Sequence, residues 1–288
     1  MKLSVVLATR NEEKNIGECL ASVKDIADEI IVADEYSTDK TREIAEKFGA
    51  KVFEVPHHDI FHVTKQKALT KAQGEWILQL DADERVTPEL AKEIKKVINM
   101  DKEELLAYQE KKHPKSKLFA KHQRLVEERD GKIGKATGEV VAFFIPRLNF
   151  FLGKPLRHAG VYPDGVIRLV KNGKARFPRI SVHEQIEVDG EVGWLINDLE
   201  HHDSPTFERY LSRLNRYTDL KAKELAKDNV SKDPLTLLYY SSLKPLFIFL
   251  NLYVRHAGFK DGMRGFVWSL FSSLHFPISY FKYFAKGK

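Results

Sequence analysis

Cysteine is nearly absent from this chain of 288 residues. The single thiol, Cys19, leaves no internal disulfide and no cysteine-based metal cluster. It sits between Glu18 and Leu20 in a helical pattern, which reads as a packing residue rather than a nucleophile. Glycine-rich phosphate loops are missing too: neither G-x-G-x-x-G nor G-x-x-x-x-G-K-[ST] occurs, against a dinucleotide oxidoreductase and a P-loop NTPase. The apolar run at residues 3–8 is too short for a signal-peptide core, and Arg10, Glu12 and Glu13 follow at once, so a reducing, cytosolic setting is expected. No internal repeat is visible. No apolar run reaches the roughly 20 residues needed to cross a bilayer: residues 246–254 give nine, and 265–284 are broken by serines, His275, Pro277 and Lys282.

What is present is a basic chain of net charge +6 with normal apolar content for a globular protein. The charge is uneven. Residues 111–135 hold nine Lys/Arg against three acids, and residues 236–288 hold seven against one, so the rest of the chain is net acidic. A basic protein can meet nucleic acid or an anionic membrane. Both basic segments lie outside the apparent catalytic part, and the second is rich in aromatics, which favours an anionic membrane surface and no nucleic acid.

The first hundred residues alternate short apolar runs with amphipathic helical patterns. Strands are predicted at residues 3–8, 29–33, 51–55 and 75–80. Helices are predicted at 13–23, after Asp39 to a stop at Gly49, at 63–72, and after the Thr87 N-cap with Pro88 at the first helical position. Such alternation implies an α/β fold with a mostly parallel central sheet covered on both faces. Ligands bind beyond the carboxyl ends of such strands, which puts residues 9–12, 34–39 and 81–83 on one rim. Residues 101–138 have weak periodicity and read as a basic insertion or a mobile loop. Strands return at 140–145, 165–170 and 179–182. From Phe207 the pattern is helical, with Pro234 and Pro245 as breaks. A first domain at 1–205 and a C-terminal helical segment at 206–288 are expected.

The strand ends carry carboxylates. Asp81-Ala82-Asp83 follows directly on an apolar strand, and in the turn leaving it both side chains can converge on a hard cation. A polar turn before a capped helix is the bland alternative, and D-x-D alone does not decide between them. Two further strands end in polar motifs, TRNE at residues 9–12 and DEYSTD at 34–39.

With TRNE, DEYSTD and DAD in that order, the chain resembles glycosyltransferase family 2, whose members have the GT-A fold. LDADERVTPEL, IPRLNFFLGK, RHAGVYPDGVIRLV, KARF, VHEQIEVDG, SRLNRYTDLKA and GFKDGMRGF extend the likeness over almost the whole chain. They point to the branch that includes lipopolysaccharide-core β-glucosyltransferases. Thr64-Lys65-Gln66 departs from that branch's Q-R-N-like run.

The resemblance implies an inverting transferase using a nucleotide-sugar donor with Mg²⁺ or Mn²⁺. It assigns Thr9, Glu12 and Asp34 to the nucleoside, Asp81 to the ribose or a metal-bound water, and Asp83 to the metal. His201 would complete the metal shell, with His202 adjacent, and Lys65 would approach the diphosphate or stand on a solvated helix face. Inversion needs a base for the acceptor hydroxyl. Glu184 of Val-His-Glu takes that role, with Asp164 as runner-up, and either acid could instead pair with Arg147, Arg157 or Arg168. His57 and His58 read as a surface turn. The Q-x-x-R-W motif of the family's processive synthases is missing, so single-sugar transfer is expected.

A sugar-nucleotide pyrophosphorylase would want glycine, arginine and lysine after the first strand, and TRNEEKN has no glycine. A non-catalytic nucleotide-sugar or membrane-binding module would not need Asp81, Asp83 and Glu184. In residues 265–284, Val267, Leu270, Phe271, Leu274, Ile278 and Phe281 recur at helical spacing while Ser272, His275, Ser279 and Lys282 can face away. With Arg255, Lys260, Arg264, Lys286 and Lys288 beside it, this stripe predicts peripheral attachment to an anionic membrane, at the cytoplasmic face of the inner membrane, where a glycan or lipid-linked acceptor would be met. The alternative is that the stripe packs as an ordinary helical subdomain.

Overall fold

The computed structural model describes residues 1–58, 60–111, 116–178 and 186–285. The chain forms two compact units, Met1–Arg147 with Pro163–His201, and Leu148–Tyr162 with His202–Lys288.

The first unit begins with β1 (Leu3–Thr9), α1 (Ile16–Val23), β2 (Glu29–Asp34), α2 (Thr41–Lys47), β3 (Lys51–Glu54), α3 (Phe61–Thr70) and β4 (Trp76–Leu80). The expected alternation is present, and the four strands run parallel in the order β3-β2-β1-β4. Along β1 the side chains split by the period of two. Leu3, Val5 and Leu7 enter a core with Leu20, Val23, Leu90 and Ile94, while Val6 enters the opposite core with Ile31, Ala68 and Leu69. Cys19 is fully buried in the first core, and burial pushes its thiol well above the usual range, as befits a packing residue. Two sequence signals hold to the residue: the Thr87 hydroxyl accepts from the Leu90 N–H at 3.2 Å, and the chain leaves α2 through Gly49 at φ +77°.

Next come β5 (Glu84–Val86), α4 (Pro88–Val97), α5 (Lys102–Glu110), α6 (Ser116–Asp130), β6 (Val140–Phe151), β7 (Lys154–Pro155), β8 (Asp164–Lys171), β9 (Ala175–Arg176), β10 (Glu187–Val188), β11 (Glu191–Trp194) and β12 (Leu199–Ser204). They extend the sheet as β4-β8-β6-β12-β5, with β8 antiparallel to both β4 and β6. The result is a mixed sheet whose parallel half carries the motif turns. The strand expected at residues 179–182 lies outside the described residues.

The mobile-loop reading of residues 101–138 is replaced by two helices. Asp101 and Glu104 form a reciprocal capping box at the start of α5. Gln109 then grips the backbone of β11, accepting from the Trp194 N–H at 2.7 Å and donating to its carbonyl at 3.2 Å. The Trp194 ring stacks on Phe119 of α6 and on Phe144 of β6, with centroids 4.5 and 4.6 Å apart. Satisfied backbone groups and stacked rings, not helical periodicity, order this segment, which is why the pattern was weak.

The second unit is mainly helical: α7 (Phe207–Lys227), α8 (Pro234–Leu238), α9 (Lys244–Leu250) and α10 (Gly262–Ala285). Pro234 begins a helix behind the Asp233 cap rather than breaking one. Pro245 does not break it either. A π turn at Tyr239–Leu243 widens the backbone just before this proline, where its ring would otherwise meet the preceding turn, and the helix runs on from Pro234 to Arg255. The motif residues of RHAG and GFKDGMRGF meet. Asp261 accepts from the N–H groups of Arg157 and His158 at 3.1 and 2.8 Å and pairs with the His158 ring at 2.8 Å. At Gly265 a Cβ would stand 1.9 Å from the Gly258 carbonyl oxygen, so only glycine fits there.

The α10 stripe is oriented differently from the sequence expectation. Val267, Trp268 and Phe271 pack with Phe151, Leu156 and Tyr210. Ser269, Ser273 and Ser279 are buried, with their hydroxyls donating to carbonyls of their own helix at 2.6–2.7 Å, and Lys282 donates to Asn215 and Thr218. Helical serines can satisfy themselves in this way, which makes them compatible with a buried face. Val267 and Phe271 of the stripe therefore pack within the helical unit, while Phe281 at its end is 48% exposed.

Candidate active site

Three strand ends supply the rim. The registers Thr9↔Asp34 and Leu7↔Leu80 bring the ends of β1, β2 and β4 side by side, as the sequence rule anticipates. Asp34 is fully buried. Its oxygens accept from the Ser37 N–H at 2.7 Å, the Ser37 hydroxyl at 2.6 Å and the Thr9 hydroxyl at 3.0 Å. Thr9 and Asp34 are thus brought together, and both serve to fix the turns around them. Those turns hold two non-glycine residues in the left-handed region, Asn11 at φ 55° and Tyr36 at φ 52°. Such strain persists only where surroundings enforce it. Here the Asn11 N–H donates to the Ser37 hydroxyl at 2.8 Å, and the Asn11 side-chain oxygen accepts from the Thr38 N–H at 2.8 Å. Glu12 is partly exposed at the same turn, its N–H held by Thr41 at 2.7 Å.

A second cluster centres on Asp81. Lys65 Nζ meets Asp81 Oδ1 at 2.6 Å, and Arg168 Nη2 meets Oδ2 at 2.5 Å. The same Arg168 nitrogen reaches Glu84 Oε1 at 2.8 Å, and Arg168 also donates to Gln79. Burial alone would raise the Asp81 pKa, but Arg168 and Lys65 hold it well below the usual carboxylate range. Lys65 is buried between Asp81 and the rings of Phe61 and Phe177, so it does not stand on a solvated helix face. Arg147 lies opposite Asp164 in the β6–β8 register and forks onto it at 2.9 and 2.6 Å, while also approaching Glu84 at 3.4 Å. Asp164 is therefore in the ion-paired state that the sequence allowed for it, with Arg147 as its partner.

Asp83 differs from Asp81. Burial, then the charges of Asp81, Glu84 and Glu12, push its carboxyl up to about 6. The pairing of β12 with β5 places His201 opposite Glu84, and His201 Nε2 stands 3.7 Å from Asp83 Oδ2. Burial, with the repulsion of Arg147, holds the imidazole well below its usual range, hence neutral at pH 7. A neutral imidazole and a crowded carboxylate 3.7 Å apart can touch one cation, because metal–oxygen and metal–nitrogen distances are about 2.0–2.2 Å. Among the described residues no group of three or more His, Cys, Asp or Glu forms a complete metal cage. Two protein donors are what Mg²⁺ or Mn²⁺ takes when diphosphate and water fill the remaining positions. The residues present fit the ion. His202, by contrast, stacks on Phe150 at 4.2 Å in the second unit.

Glu184 lies outside the described residues. Arg168, Gln79 and Glu84 were missed as a connected network. The available signal was Arg168 within the apolar run GVIRLV, since an arginine in a buried strand needs partners. Likewise Glu35 is buried, accepting from Thr64 at 2.5 Å and pairing with His57 at 2.6 Å, so His57 is a half-exposed partner of this acid. Replacing Arg168 with methionine leaves the buried Glu84 and the partly buried Asp81 each short of a partner. This variant is expected to lose about 3–5 kcal/mol of unfolding free energy in a urea titration. Wild-type stability in R168M would mean the network carries no net charge compensation.

A family model described as glycosyl transferase family 2 matches residues 4–157. An uncharacterized glycosyltransferase of Rickettsia typhi is 27% identical over 279 residues, covering 93% of this chain and 82% of that one. The lipopolysaccharide core biosynthesis glycosyltransferase LpsC of Rhizobium meliloti is 26% identical over 273 residues, covering 93% and 86%. Among solved structures, glucosyl-3-phosphoglycerate synthase from Mycobacterium tuberculosis, in complex with Mn²⁺, UDP-glucose and phosphoglyceric acid, is 30% identical over 29% of this chain and 34% of its own, with a TM-score of 0.27. The match of the family model across more than half the sequence, over the strands whose ends form this rim, establishes that the chain belongs to glycosyl transferase family 2.

Proposed function

We propose that this protein is an inverting, non-processive, metal-dependent transferase that moves a hexose from a UDP-sugar to a glycan or lipid-linked acceptor of the lipopolysaccharide-core kind. One observation carries the reading of the site: Asp83 and neutral His201 face each other at 3.7 Å, beside an Asp81 already ion-paired on both oxygens. Asp83 and His201 would hold Mg²⁺ or Mn²⁺. When bound, the ion would neutralise charge on the departing nucleoside diphosphate. Asp81 keeps Lys65 and Arg168 oriented at the strand end, where Lys65 can turn to the diphosphate. Thr9 and Asp34 fix the turns that receive the nucleoside, with Glu12 and the exposed ring of Tyr36 on their surface. Glu184 deprotonates the acceptor hydroxyl, with Asp164 as the alternative base.

The name of the Rhizobium relative supports a lipopolysaccharide-core-like acceptor. Such an acceptor would be met at the cytoplasmic face of the inner membrane. A thermal-shift screen of nucleotide sugars with Mn²⁺ tests donor and ion together. A ligand at 100 times its dissociation constant stabilises by about 2.7 kcal/mol. UDP-hexoses should shift the transition only when Mn²⁺ is present; an equal shift in chelator would remove the metal from the proposal.

A further inference from the structure

The helix from Pro234 to Arg255 carries an apolar face that the second unit does not cover. Leu235, Tyr239, Leu243, Leu246, Phe247, Leu250 and Val254 recur at intervals of about four residues, and each is 46–78% exposed. Phe259, Met263 and Phe266 beyond the helix end are exposed as well, Met263 at 75%. Contiguous exposed apolar surface of this extent marks a partner-binding face.

The opposite face is occupied. Tyr240 stacks on Tyr280 with centroids 4.7 Å apart, and Phe249 and Tyr253 meet the Phe266 ring edge-on at 5.8 and 5.7 Å. The Lys244 ammonium sits over Tyr240 and Phe276. Both ends are tied down. Tyr283 and Tyr280 donate to the carbonyls of Val230 and Ser231, just before the helix, at 2.6 and 2.9 Å, and the Ala159 N–H donates to the His256 carbonyl, just after it, at 2.9 Å.

At 22 residues the helix is about 33 Å long, enough to cross a bilayer by length. Crossing would require it to leave α10 and expose Lys244 and its tyrosines to lipid on all sides. A helix fixed at both ends and along one face instead presents its free stripe sideways, which suits the plane of an interface. Charge selects the lipid. Between residues 234 and 285 there are five Lys/Arg and one acid, and that acid, Asp261, is held by His158 and the neighbouring backbone. Arg255 and Lys260 are exposed beside the stripe.

We propose that the stripe from Leu235 to Val254, with Phe259 and Met263, lies in the plane of an anionic lipid surface and docks the protein there. The proposal extends the membrane-facing acceptor reading above, yet it stands on residues far in sequence from the donor site.

Flotation of the full chain with phosphatidylglycerol/phosphatidylcholine vesicles, against phosphatidylcholine alone, tests it. Wild type should float with the anionic vesicles only and be released by carbonate. The double variant L246E/F247E should lose at least tenfold in bound fraction, with unchanged circular dichroism and donor hydrolysis. L125E, at an exposed apolar position of the first unit, should float like wild type. Recovery of wild type in the soluble fraction overturns the proposal. Carbonate-resistant binding overturns the in-plane geometry in favour of a span. Dimers abolished by L246E/F247E without any flotation assign the stripe to a second copy of the chain. Loss of donor hydrolysis in wild type, with flotation intact, refutes the donor-site reading and leaves this one standing.

Discussion

Asp83→Ala removes metal-dependent turnover, lowering kcat/KM by at least 10²-fold, about 3 kcal/mol of barrier. The effect is on chemistry and not on folding, because Asp83 lies on a strand-end turn outside both cores of the first unit. Asp83→Asn sharpens the test. The amide keeps the shape and removes a charge that burial and the acids Asp81, Glu84 and Glu12 disfavour, so this variant should be no less stable than wild type at pH 7.5. Mn²⁺ with UDP should then raise the melting temperature of wild type and leave that of Asp83→Asn unmoved. His201→Ala should weaken the Mn²⁺ response to a lesser degree, since a carboxylate binds a hard cation more strongly than an imidazole does. Wild-type turnover by Asp83→Ala with Mn²⁺, at unchanged circular dichroism, refutes the metal assignment. A metal-independent shift on UDP binding would instead leave Lys65 and Arg168 as the diphosphate's counter-charges.

The parallel half of the sheet was legible because its physics is local. Short apolar runs bounded by a cap such as Thr87 or a stop such as Gly49 specify strand and helix without reference to distant residues. The placement of TRNE, DEYSTD and DAD on one rim followed from chain direction alone. His201 as the companion of Asp83 came from the family resemblance; the ion-pair partners of Asp81 were not legible, because sheet register brings them from far along the chain. Arg168 reaches Asp81 only because β8 lies beside β4, and His201 reaches Asp83 only because β12 pairs with β5. The antiparallel extension has no alternating helices to announce it. Which face of α10 is buried was not legible for a related reason. Serines in α10 look solvent-facing by composition, but hydroxyls that bond back to their own helix can be buried. The exposed apolar stripe lay one helix earlier, hidden by the assumption that Pro245 ends it.

Glu184→Gln is the second large effect expected. Inversion requires that the acceptor hydroxyl lose its proton as it attacks opposite the leaving nucleotide, and the amide cannot take it. The loss of a general base costs about 10²–10⁴ in rate, roughly 3–5.5 kcal/mol of barrier. Donor affinity and the Mn²⁺ response should both stay at wild-type level, because nothing assigned to donor or ion has changed. That split between kcat and donor binding distinguishes a base from a residue that merely shapes the site. Asp164→Asn supplies the contrast. Its carboxylate holds Arg147 through two hydrogen bonds, and Arg147 also approaches Glu84. Losing it should therefore lower stability and disturb donor binding together. If Glu184→Gln turns over near the wild-type rate while Asp164→Asn loses transfer and keeps its donor affinity, the base is Asp164, and Arg147 becomes the residue that sets its charge.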